Sequence, residues 1–159
     1  MKKLLLQLIV CATALLPFTQ AQAADPAGAK LYGDFRAGKK FSLTVTDVTV
    51  AKASLTGGTV KAKVPSGVPN FKKGQKIKFT IGGNGQLTGP GFSIPFVSGS
   101  GVSNAYANKV KKGTTQLPDV GIVYKNSTTL QPEGVALTFL KVTGSGFSTA
   151  TYSINYTLE

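Results

Sequence analysis

The chain has 159 residues, with 18 Lys plus Arg against 6 Asp plus Glu and no His or Trp, for a formal net charge of +12. Hydrophobic residues make up 42% and charged residues only 15%, a balance that fits one folded domain and excludes a chain kept disordered by charge and low hydrophobicity. The absence of His removes the imidazole base, the Ser-His-Asp triad and the His metal ligand from the available chemistry.

Met1-Lys2-Lys3 is a short basic start, and residues 4–18 are apolar apart from Gln7 and Thr13. Ala21-Gln22-Ala23 follows with the small residues of a cleavage site. The apolar run is shorter than the roughly 20 residues a membrane helix needs and contains Pro17. Residues 1–23 are therefore expected to be a cleaved secretory signal peptide. The mature chain would have no transmembrane segment and would be exported to the periplasm, the cell surface or the medium. Cys11, the single cysteine, would leave with the signal, so the mature chain could form no disulfide.

Residues 24–38 read as an extension ahead of the first regular strand. Leu31, Gly33, Phe35 and Ala37 fall on alternate positions, presenting one face of small and apolar side chains when extended. The same pattern suits a first strand of the protein's own sheet, a loose terminus, or a donor strand added to an open sheet edge.

From residue 39 onward the pattern has period 2. Phe41, Leu43 and Val45 alternate with Ser and Thr, and Val48 and Val50 continue in the opposite phase. That inversion predicts a bulge near Thr46-Asp47. Residues 60–64 and 76–81 alternate, residues 91–97 read as a strand that Pro95 confines to an edge or a break, and 120–124 and 134–142 are apolar strands. In the last segment Ala150, Tyr152, Ile154, Tyr156 and Leu158 would share one face. Glycine-rich turns lie between these runs. Residues 39–159 are thus expected to form one all-β domain, an antiparallel β-sandwich of about seven or eight strands without long helices.

The six acids are scattered in sequence, without the pair that glycosidase-like chemistry needs or the clustered Asp of a calcium loop. No catalytic residue, metal ligand or cofactor motif is expected, and the protein reads as non-enzymatic. Lysine is the one strong bias. Lys72, Lys73, Lys76 and Lys78 form the densest group, and Lys61 and Lys63 share a strand face. Such a patch attracts anionic surfaces weakly and in a salt-dependent way, or else is simply a solvated face that discourages edge pairing. Arg36 is the only arginine, and lysine lacks the planar fork used for base recognition, so sequence-specific nucleic-acid binding is not expected.

The closing segment, GSGFSTATYSINY at 144–156, resembles the C-terminal strand of chaperone–usher fimbrial subunits (pilins). That resemblance implies an immunoglobulin-like sandwich completed by a donor strand from a neighbouring subunit, with a periplasmic chaperone as a second partner. Leu31, Gly33, Phe35 and Ala37 would be the donor residues, and Ala150, Tyr152, Ile154 and Tyr156 would line the edge of the receiving groove. The implied function is a structural subunit of a bacterial surface fimbria, serving cell adhesion. The competing expectation is a secreted or periplasmic basic module that binds anionic polymers or glycans as a monomer.

Overall fold

The computed structural model describes residues 38–54, 57–109 and 118–159. Ten strands follow one another: β1 (Lys40–Ser54), β2 (Thr59–Lys61), β3 (Lys76–Ile81), β4 (Leu87–Gly89), β5 (Phe92–Ile94), β6 (Phe96–Gly99), β7 (Ser103–Ala107), β8 (Val120–Lys125), β9 (Pro132–Thr143) and β10 (Ala150–Leu158). The helical structure among the described residues is one 3₁₀ turn, Gly146–Ser148. All pairings are antiparallel, and the order across the sheet is β5-β4-β3-β1-β10-β9-β8-β7-β6, with β2 attached to β1.

The two ends of that order, β5 and β6, are one stretch of chain with only Pro95 between them. Pro95 has no N–H to give a ladder, so it suits a point where a strand changes partner. Its carbonyl accepts from the Ala107 N–H at 3.0 Å, which starts the pairing with β7 just after the pairing with β4 has ended. The sheet thereby comes back on itself and nearly closes into a barrel. The expected all-β, antiparallel domain is present, with ten strands rather than seven or eight. The short β4 and β7 were illegible as strands, and apart from β1 with β10, and β1 with β3 across the intervening β2, the neighbours around the barrel follow one another in sequence.

The interior is apolar. Leu43, Val45, Ile77, Phe79, Ile81, Leu87, Ile94, Tyr106, Val123, Leu137, Ile154, Tyr156 and Leu158 belong to one buried cluster. Outward positions carry Lys76 and Lys78 on β3 and Ser153 and Asn155 on β10, the reverse of a lipid-facing barrel. Phe92 sits at the middle of the aromatic packing, with ring centroids 5.4 Å from Phe139 and 6.3 Å from both Phe71 and Phe79. It passes directly across Gly89 of β4, where any Cβ would strike the ring. Gly89→Ala is therefore expected to destabilise the fold by about 1–3 kcal/mol, read as a lowered midpoint in urea unfolding.

Three polar residues are buried or sit among the core at the β7–β8 end. The Lys125 ammonium donates to the Ser100 carbonyl at 2.8 Å and lies 3.4 Å from Asn104 Oδ1, and burial lowers its pKa. The Tyr106 hydroxyl is fully buried with no hydrogen-bond partner among the protein's groups. Burial pushes its pKa up to about 12; Asn104 lies near enough to oppose the rise, without satisfying hydrogen-bond geometry. Because the folded pKa exceeds the unfolded one, the folded protein holds this proton longer, and stability falls as pH rises from about 10 toward 12. Tyr106→Phe should raise stability by about 1 kcal/mol near neutral pH and flatten the alkaline decline, both measurable by urea titrations from pH 7 to 11.

Candidate functional site: a lysine row and cleft beside strand β1

Strand β1 is long enough to serve two sets of neighbours. Its first part pairs with β3, from Lys40↔Thr80 to Thr44↔Lys76. Its second part pairs with β2, through Ala51↔Lys61, Lys52↔Val60 and Ala53↔Thr59, on the flank opposite β10. The register against β10 slips between Val45 and Asp47, at the bulge the inverted phase predicts. Thr46 anchors it by donating from Oγ1 to the Thr157 carbonyl at 3.2 Å.

On the flank away from β10, Val45 is bonded to Gln75 and Gly74, and the Val50 carbonyl accepts from Ala62. Between those points β2 and β3 diverge, and the fork opens a cleft of about 530 Å³. Val48, Val50, Val64 and Phe71 give it an apolar floor, while Asp47, Lys63, Asn70, Lys72 and Lys73 surround it. Phe71 is held by its ring contact with Tyr156 at 5.1 Å. The Tyr156 hydroxyl donates to the Pro69 carbonyl at 2.6 Å, fastening the same loop to the barrel. Lys72 is steadied by a 2.9 Å bond from Nζ to Asn70 Oδ1. Asp47 accepts from the Thr49 hydroxyl at 3.2 Å.

The six sequence-predicted lysines are all exposed; register places three of them along the flank of β1, and the other three line the cleft on that flank. Lys78 lies opposite Ser42 and Lys76 opposite Thr44. Lys72, Lys73 and Lys63 border the cleft beside Asp47, Val48 and Val50, and Lys61 lies opposite Ala51. From Ser42 to Ala51 the row spans roughly 30 Å of strand. Asp47 is the one acid on the cleft among the described residues.

The other predicted site residues fall elsewhere. Leu31, Gly33, Phe35 and Ala37 lie outside the described residues. Ala150, Tyr152, Ile154 and Tyr156 do share a face, but that face is the barrel interior, and Tyr152 carries Lys52 Nζ at 5.8 Å over its ring. They do not border an open groove. Strand β10 is paired along its length to β1 on one flank and to β9 on the other. Val48, Val50, Val64 and Phe71 were not anticipated as site residues. The phase inversion at Thr46 was the available signal, since a bulge in a long strand marks a place where partners can change.

Among the described residues no group of three or more His, Cys, Asp or Glu is placed to hold a metal ion. Comparison with protein-family models, with curated proteins and with solved structures finds no match to this chain.

Exposure separates the lysines chemically. An amine-reactive acylating reagent should modify Lys63, Lys72 and Lys73 readily while sparing Lys125, which is 2% exposed. Mass mapping of the modified native protein checks this, and labelling of Lys125 at the same rate would show that end of the barrel to be open.

Proposed function

We propose that this protein is an exported, non-enzymatic binding module that holds an extended polyanion along the lysine row beside β1. The observation that carries this reading is the register of β1. It gathers lysines from β2, β3 and the intervening loop onto one line, with a single carboxylate at the cleft. A row of mobile ammonium groups attracts a chain of negative charges without demanding a fixed spacing, because each lysine acts as a flexible point charge. Binding of this kind comes from counterion release, so it weakens steeply with salt and discriminates poorly between polyanions.

The competing reading is a fimbrial subunit of immunoglobulin-like form, assembled by strand donation with a chaperone as partner. It asks for an open flank on β10. With both flanks paired, donation there would have to displace β1 or β9, at the expense of a ladder that includes Val48↔Tyr156 and Val50↔Ile154. The basic-module reading needs no such rearrangement.

The test is a salt titration of binding to inorganic polyphosphate, followed by fluorescence anisotropy of a labelled chain. The wild-type protein should give a linear fall of log K with log salt. Replacing Lys76 and Lys78 with Gln should reduce that slope by roughly 1.5, given about 0.7–0.9 per neutralised contact. Lys141→Gln, on β9 away from the row, should leave it unchanged. A slope indifferent to the row lysines, or binding that survives high salt intact, would overturn the proposal.

A further inference from the structure

The fork cleft is more than a widening of the basic row. A purely electrostatic track needs no apolar floor, yet four apolar side chains meet where Lys63, Lys72 and Lys73 converge. We infer that this cleft is a seat for an anion with an apolar body, such as an acyl chain or aromatic ring bearing a carboxylate, phosphate or sulfate. The inference rests on the polyanion reading and narrows it: the preferred ligand carries apolar groups along with its charges.

The arrangement supplies both halves of such a ligand's chemistry. Val48, Val50 and Val64 are only partly buried and pack against the core from its margin, so an apolar group laid on them would lose water contact without opening the barrel. Phe71 adds the edge of a ring already fixed at 5.1 Å from Tyr156 and 6.3 Å from Phe92. The cleft volume, about 530 Å³, is within the range of small-molecule sites, which are mostly apolar with a few oriented polar groups. Lys63, Lys72 and Lys73 line the cleft and would meet the anionic head. Asp47 accepts a hydrogen bond from Thr49 and would repel an anionic group beside it, so the head is expected at the three lysines.

The shape of the site has a structural cause that is independent of the charges. Because β2 and β3 take different parts of β1, the ladder on that flank is interrupted between Val45 and Val50. The loop that bridges them, residues 62–75, is fastened at Pro69 by Tyr156 and at Gln75 by Val45. A cleft walled by β1 and by a loop fastened at two points is formed before any ligand arrives, which limits the ordering cost of binding.

The probe is 8-anilinonaphthalene-1-sulfonate, a sulfonate on an aromatic body, titrated against the full mature protein and followed by fluorescence. Saturable binding at one site is expected, displaced by dodecyl sulfate below its micelle concentration and not by equal inorganic sulfate. Replacing Lys63, Lys72 and Lys73 together with Gln should weaken the probe about tenfold or more. Val64→Thr and Val50→Thr, which preserve shape and exchange a methyl for a hydroxyl, should each weaken it about threefold or more. Val64→Thr should leave polyphosphate binding as it was. If polyphosphate binds as expected but the probe is indifferent to the Val→Thr changes, or inorganic sulfate displaces it equally well, the apolar seat is refuted and the lysine row stands. If the row variants affect neither ligand, the polyanion reading fails with it.

Discussion

Strand β1 is held by three different partners, and most of the architecture follows from how its ladders are shared. One flank is given wholly to β10. The other is divided, to β3 before the bulge and to β2 after it. A bulge adds a residue to one strand and increases its local twist. Here it lets a single strand turn from one part of the barrel wall to another while keeping Leu43 and Val45, then Val48 and Val50, on the inner side. Without the extra residue at Thr46 either the first or the second apolar set would face solvent. The corner opposite is made by different chemistry, a proline that interrupts the ladder between β5 and β6. Two interruptions of regular pairing, one by insertion and one by a missing donor, are what close the sheet.

The lysine-bordered cleft is a by-product of the same division. The lysines that flank β1 come from β2, β3 and the loop between them, held by backbone ladders at Lys61, Lys76 and Lys78 and by side-chain bonds in the loop. At physiological ionic strength the field of a single exposed charge is screened over about 8 Å. Neighbours along a strand face, two residues apart, lie within that distance, so the fields of Lys76 and Lys78 overlap. Mutual repulsion among the same lysines is an energetic cost, and on the proposed function a bound polyanion would remove it and so stabilise the fold.

Much of the wall was legible from alternation alone. Strands β3, β8, β9 and β10 occupy the segments where period 2 is cleanest, and the slip between Val45 and Asp47 falls where the phase of the valines inverts. The reading failed where a strand lacks that signature. Strand β7, SNAYA, buries Asn104 and Tyr106, so a polar residue faces inward and the alternation is hidden. Strand β4 is three residues long and ends in a glycine demanded by the Phe92 ring. The lysine cluster was visible as composition, but its arrangement was not, because a row assembled by register has no sequence period. The groove beside β10 was an expectation that came with the resemblance to fimbrial subunits. Periodicity tells which face is buried and says nothing about how many neighbours a strand has.

Pairing β1 with β10 also sets the order of events by which the barrel is made. The ladder joins Val45 to Leu158 and Ser54 to Ala150, contacts separated by most of the described chain, and closing so large a loop is slow compared with forming the local hairpins from β6 to β10. Until β10 is available, β1 presents an unpaired flank and the interior valines and phenylalanines remain exposed. A polypeptide built this way stays unclosed while it is being synthesised and comes together only when its last strand arrives. Its vulnerable period is the interval before closure, when a proteolytic cut or an encounter with another unsealed chain would have the greatest effect.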